Sequence, residues 1–215
     1  MRLLVLGASG GIGSWVVRLA AEREHQVTAL VRSARGLTPP SAATVRIGDV
    51  ADESVLDESV PGHDAVISCL GLRRAGRSPW APLLSPTDLT ERVTRALVGA
   101  MHRHGVPRLI AVSAGGVADS YRQLTWPVRQ LVSSGNVAVA YRDLAAMETV
   151  LSESGLDWLA VRPVTLKNGS PTGRAGAVDS YGLTSTVSRG DVAAWLVHAA
   201  ERRQRLIERR ILLGS

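Results

Sequence analysis

A chain of 215 residues, 45% of them hydrophobic and 20% charged, is long enough for one well-buried core and short for two; no apolar run approaches the ~20 residues that a membrane span needs. One cysteine, Cys69, excludes an internal disulfide and any multi-cysteine metal site; the strand-like RLLVLG at the N-terminus leaves no room for a leader, and a cytoplasmic location is expected. The formal net charge of +6 is spread along the chain, and its densest run, ERRQRLIERR at 201–210, carries interleaved glutamates and reads as a solvated helix end, so nucleic acid is not an expected partner.

Apolar, branched runs at 2–7, 26–31, 43–47, 64–70, 108–113 and 157–162, with RRILLG near the end, predict strands of a parallel sheet covered on both faces. Helical patterns lie between them at 11–24, 53–59, 86–104, 137–154 and 188–201. Strand and helix in alternation predict an α/β doubly wound parallel sheet, a Rossmann fold, over residues 1–215 as a single domain. Three longer connections, near 71–86, 115–136 and 163–187, form a small substrate-loop region, because sheets of this kind bind ligands beyond the carboxyl ends of their strands.

The first of these ends carries VLGASGGIG. Glycines between a strand and a helix let backbone approach a pyrophosphate, which assigns Gly7, Ser9, Gly10, Gly11, Ile12 and Gly13 to a dinucleotide; the alternative is a plain structural turn. The second strand ends in VRSARG, where an NAD site would place an acidic residue for the ribose. Arg32, with Ser33 and Arg35 nearby, suits a 2′-phosphate instead, so NADP(H) is the expected cofactor, unless these are solvated loop arginines. Asp49 and Val50 follow the third strand, where a carboxylate can accept from an adenine amino group. Leu70 and Gly71 end the fourth beside the expected cofactor path.

Taken together, GASGGIG, VRSAR, GDV, DAVISCLG, HGVPRLIAVSA, LSESGLDWLAVRP and VSRGDVA resemble the atypical short-chain dehydrogenase/reductases, in particular the NAD(P)H-binding group that includes biliverdin reductase B, also called flavin reductase. The resemblance runs over nearly the whole chain. It implies NADPH held across Gly7, Ser9, Gly10, Gly13, Arg32, Asp49, Leu70 and Gly71, with Ser113 close to the nicotinamide and Pro163 and Val164 flanking it. Short-chain enzymes at large pair a tyrosine with a lysine four residues on. Here Tyr141 is followed by Ala145, and Lys167 is the only lysine; members of the resembled group commonly lack that pair as well. Their histidine after the aspartate is Leu144 here, following Asp143, so its role does not transfer.

The candidate catalytic residues are Ser113, able to orient an acceptor by hydrogen bonding, and Tyr141, whose phenol without a nearby cation is too weak an acid for efficient work at neutral pH. Glu148, two helical turns beyond Tyr141, reads as a partner for an arginine. Trp80, Tyr121, Trp126 and Tyr181, with Arg73, Arg74 and Arg77, can either shape a pocket for a flat anionic compound or pack loops onto the sheet. The histidines are too scattered to suggest a metal site. The expected activity is NADPH-dependent reduction of a flavin, quinone or other flat conjugated small molecule. A non-redox isomerase or cyclase on the same fold, or an NADP(H)-binding redox sensor acting through a protein partner, are the alternatives; the oligomeric state, monomer or homodimer, is open.

Overall fold

The run RLLVL forms the central strand β1 (Arg2–Leu6), with four of its five residues fully covered. In a strand, alternate side chains point to opposite faces, and here both faces find a helical layer. Leu3 and Val5 enter one core with Val16, Val17, Val192 and Leu196, whereas Leu4 and Leu6 enter the other with Leu56, Val93, Leu97 and Leu151. Each such leucine, taken fully out of water, contributes roughly 1.5–3 kcal/mol, which is why these strands read as continuous apolar runs.

The computed structural model describes all residues except 36, 37, 77, 207 and 208, so Arg77 lies outside the described residues. After β1 come α1 (Gly13–Glu22), β2 (Gln26–Val31), β3 (Ala43–Ile47), α2 (Glu53–Ser59), β4 (Ala65–Ser68), α3 (Leu89–Arg103) and β5 (Arg108–Val112). A 3-10 helix (Ala118–Gln123) and α4 (Trp126–Val132) precede α5 (Gly135–Glu153) and β6 (Asp157–Pro163). Short strands β7 (Thr165–Lys167), β8 (Gly176–Ala177) and β9 (Thr186–Ser188) lead to α6 (Arg189–Glu201) and β10 (Arg210–Gly214). The main sheet runs β3-β2-β1-β4-β5-β6-β10-β8. Its neighbours are parallel from β3 through β10, with β8 antiparallel on the far edge. Helices α1 and α6 pack on one face, and α2, α3 and α5 on the other. This is the expected doubly wound sheet, and its strand order reverses between β1 and β4, the switch point at which such sheets bind ligands.

Some boundaries and connections differ from the sequence reading. β4 stops at Ser68, so Cys69, Leu70 and Gly71 lie beyond it. Helix α3 begins at Leu89 rather than near 86, because its end is capped from another helix. Buried Asp143 of α5 accepts from Thr90 N (3.0 Å), Thr90 Oγ1 (2.6 Å) and Glu91 N (3.0 Å), while the side chain of Asp88 at the cap position does not cap the helix. The connection 71–86 is a hairpin, with an Arg74–Leu83 bridge. Its far end is pinned to α5 by Asn136, whose N donates to Pro79 O (2.8 Å) and whose Nδ2 donates to Ala81 O (2.9 Å). The expected loop at 115–136 contains the 3-10 helix and α4, two elements too short to display a periodicity. Among the described residues, no helix is long and apolar enough to cross a membrane.

Candidate active site

A cleft of about 630 Å³ opens at the switch point, over the carboxyl ends of β1, β2, β4 and β5. Gly7, Ser9, Gly10, Gly11 and Ile12 line one side, Arg32, Asp49 and Val50 a second, and Leu70, Gly71 and Ser113 the floor toward β5. These expected residues are brought together, although they come from five separate stretches of sequence.

The glycine turn is shaped by close backbone approach. Gly10 N donates to Gly7 O (2.9 Å), and a Cβ on Gly13 would lie 2.2 Å from that same Gly7 oxygen. Gly13 is therefore buried under the turn rather than on the cleft wall, and its part is to let α1 start there. Helix α1 has no side-chain cap; Ser14 N and Val16 N are taken by Gly10 O and Ile12 O, and the helix dipole favours an anion at that end.

Beside this turn lies Arg189, which the sequence reading did not assign. A Cβ on Gly11 would come within 2.8 Å of Arg189 Cδ, so the missing side chain at 11 is what lets this arginine cross the loop into the cleft wall. Arg189 is held in place twice over. Its Nη1 donates to Asn168 Oδ1 (2.8 Å), and its backbone begins α6 under an N-cap in which Ser188 Oγ accepts from Asp191 N (2.9 Å) and donates to Asp191 Oδ2 (2.7 Å). The Asp191 carboxylate also accepts from Thr172 N, Thr172 Oγ1 and Gly173 N at 2.7–2.9 Å. Burial works against its charge, but the bonds from Ser188, Thr172 and Gly173 together hold it below the usual carboxylate range. The signal was present in VSRGDVA, as a serine cap followed by an arginine at the first helical position; what the arginine would face was not readable. An uncapped helix start, a glycine pair without Cβ atoms and an adjacent guanidinium fit a pyrophosphate.

Along the second wall, exposed Arg32 reaches the cleft from the end of β2. Ser33 and Arg35 do not line it; they bond locally, with Ser33 Oγ accepting from Arg35 N (3.2 Å). Asp49 Oδ1 accepts from Ala51 N (3.0 Å), which closes the turn after β3 and leaves its other oxygen for a ligand. Toward the open end the walls become apolar, with Leu72, Leu84, Leu89, Leu144 and Leu166, while Arg73 and Ser85 come from the hairpin. Leu144 thus brings an apolar side chain to the position where the resembled group carries its histidine. Cys69 lies on the floor, and burial pushes its thiol up to about 12, so it is no thiolate nucleophile at neutral pH.

Three expectations are corrected here. Pro163 and Val164 do not flank the cleft: Val164 is buried in the core, its N bonded to Leu213 O (3.0 Å) where β10 pairs with β6, and Leu166 reaches the wall instead. Tyr141 is not on the cleft either. Its hydroxyl donates to Gly115 O (3.0 Å), and its ring lines a separate hollow with Val117, Tyr121 and Arg142. Burial, with a smaller push from Tyr181 against a partial offset from Arg74, raises its phenol well above the usual range, so it stays protonated at neutral pH. The aromatic residues of the connections also stay outside: Trp80 and Trp126 are each 70% exposed, and Tyr181 is buried with its hydroxyl 2.9 Å from Thr165 Oγ1. Lys167 is exposed on β7.

Ser113 does line the cleft, and behind it stands a buried ionic cluster. Its Oγ donates to Glu148 Oε1 (2.6 Å), and Glu148 is bound by Arg162 (Nε 2.9 Å, Nη2 2.6 Å) and Arg210 (Nε 3.0 Å). Glu148 is the arginine partner that its sequence position suggested.

The chain is similar to known NAD(P)-binding proteins. The model of a family described as NAD(P)H-binding matches residues 7–203. An anaerobillin reductase from Escherichia coli O157:H7 superposes with a TM-score of 0.76 at 24% identity, over 99% of this chain and 96% of that one. A short-chain dehydrogenase/reductase from Veillonella parvula, solved in complex with NADP, superposes at 0.79 and 17% identity, over 100% and 94%. Among curated sequences, a dTDP-glucose 4,6-dehydratase from Streptomyces niveus is 30% identical over 59% of this chain, which spans 41% of that relative's length. The chain belongs to the NAD(P)H-binding family, and it has the Rossmann fold that the alternation of its strands and helices implied.

Proposed function

We propose that the protein is an NADP(H)-dependent reductase of a flavin, quinone or other flat conjugated small molecule. The observation that carries the cofactor choice is Arg32, an exposed guanidinium on the cleft at the end of β2, where an NAD site would hold a carboxylate. Guanidinium donors match the geometry of a 2′-phosphate. The glycine turn and Arg189 would hold the pyrophosphate, and Asp49 the adenine.

When bound, the cofactor supplies hydride, the difficult part of the chemistry. The chain's own work is then binding and exclusion of water. Leu72, Leu84, Leu89, Leu144 and Leu166 offer apolar walls on which a flat ring can lie, and Arg73 offers a charge for an anionic substituent. A quinonoid acceptor can take its proton from solvent, so the lack of a tuned acid at Tyr141 and Cys69 is no obstacle. The similarity to an anaerobillin reductase supports a conjugated acceptor. A second reading, a reaction without net redox change, is favoured by the similarity to a dehydratase.

The test is titration calorimetry with NADPH and NADH, then loss of 340 nm absorbance with FMN, quinones and biliverdin. Tight NADPH binding with turnover supports the reductase. Binding without turnover of any acceptor refutes it, in favour of the non-redox enzyme or a redox sensor.

A further inference from the structure

The Ser113 hydroxyl stands between the cleft and an ionic cluster whose centre, the Glu148–Arg162 pair, is buried. Glu148, 1% exposed, takes four bonds on its two oxygens: Ser113 Oγ and Arg162 Nε on Oε1, Arg162 Nη2 and Arg210 Nε on Oε2. Guanidinium groups only donate. Three of the four positions are therefore filled by groups that require an acceptor, and the fourth bond, from Ser113, is donated by the hydroxyl. The cluster is braced further out, since Arg162 Nη2 also donates to Asp119 Oδ1 (2.7 Å). Two carboxylates and two guanidiniums thus balance around a serine that is 6% exposed. A hydroxyl has one proton. With that proton fixed on Glu148, Ser113 presents only lone pairs to the cleft.

We propose that Ser113 is a hydrogen-bond acceptor of fixed polarity, oriented by Glu148 as a positioning residue, and that it selects a ligand group carrying N–H. A carbonyl oxygen set against it would meet lone pairs, whereas an amide NH2 or a ring N–H would meet its complement. That N–H has two possible sources, the carboxamide of the nicotinamide or a ring N–H of the acceptor. Only the first source rests on the NADP(H) reading given above.

The test compares binding of NADPH with that of its 3-acetylpyridine analogue, in which a methyl group replaces the amide NH2, and binding of lumiflavin with that of 3-methyllumiflavin, which lacks the ring N–H. Fluorescence titration of each ligand alone needs no turnover. The wild type is expected to prefer the N–H form of one pair by about tenfold, the worth of one hydrogen bond of this kind. Ser113→Ala removes that preference by weakening the N–H form alone, and Ser113→Thr retains it. In Glu148→Gln the side-chain amide donates to Ser113 Oγ and frees the hydroxyl proton, so the preference falls away or inverts; should that variant fail to fold, the two serine variants still decide. Preference within the dinucleotide pair assigns the carboxamide, and preference within the flavin pair assigns the acceptor. Equal losses for both members of both pairs in Ser113→Ala overturn the inference while leaving the cofactor reading intact. Failure of the wild type to bind either dinucleotide, with the flavin preference still present, overturns the cofactor reading alone. Binding of none of the four ligands overturns both.

Discussion

Tyr141→Phe separates a structural tyrosine from a catalytic one. The substitution removes a hydroxyl that donates to Gly115 O at 3.0 Å in a half-buried setting. One such bond contributes about 0.5–1.5 kcal/mol, which for a chain of this size lowers the melting temperature by roughly 1–6 °C. The pH dependence supplies a second reading of the same group. Burial raises the Tyr141 phenol in the folded protein, whereas in the unfolded chain it ionises near pH 10. A group whose folded value is raised contributes stability that is complete below its unfolded value and is lost as pH rises through the folded one. The advantage of the wild type over Tyr141→Phe is therefore expected to be full at pH 7, to shrink above about pH 10, and then to reverse, because the phenylalanine variant has no proton to lose. Thermal melts by circular dichroism across pH 7 to 11 measure this. In the 340 nm assay the variant is expected to turn over as the wild type does. A fall of about 10²-fold or more, the contribution of a group that transfers a proton, with the melt unchanged, would refute the structural assignment and return Tyr141 to the chemistry.

Arg32→Ala is expected to weaken NADPH by roughly 10- to 100-fold, the worth of a charge-assisted bond to phosphate, and NADH much less; equal losses for the two would sink the 2′-phosphate assignment. Gly13→Ala places a methyl carbon 2.2 Å from Gly7 O, so the turn must open; dinucleotide binding should be lost together with about 1–3 kcal/mol of stability, and calorimetry showing wild-type affinity would count against the turn as the pyrophosphate cradle. Asp143→Ala leaves Thr90 N and Glu91 N without their buried acceptor, with an expected cost of about 2–4 kcal/mol. Amide exchange at those two residues should quicken, and unchanged protection would show that α3 does not depend on this cap.

Helix α3 also illustrates which features local sequence encodes. Its body was legible from periodicity, but its start was not, since the carboxylate that satisfies its first N–H groups comes from Asp143, over fifty residues away. The same division runs through the site. Strand runs such as RLLVL, the glycine turn after β1 and the arginine after β2 are short-range patterns, because alternation, helix starts and phosphate-compatible turns are made by residues adjacent in the chain. From them the doubly wound sheet and a dinucleotide-binding family follow. Tertiary structure alone decided which groups share a wall. It turned Tyr141 away from the cleft onto Gly115 and drew Val164 into the core under β10. It laid Arg189 across Gly11 and joined Ser113, Glu148, Arg162 and Arg210 into one cluster. Those contacts link β5, α5, β6, α6 and β10, elements whose neighbours are set by the order of strands in the sheet, and no spacing within a single segment encodes that order.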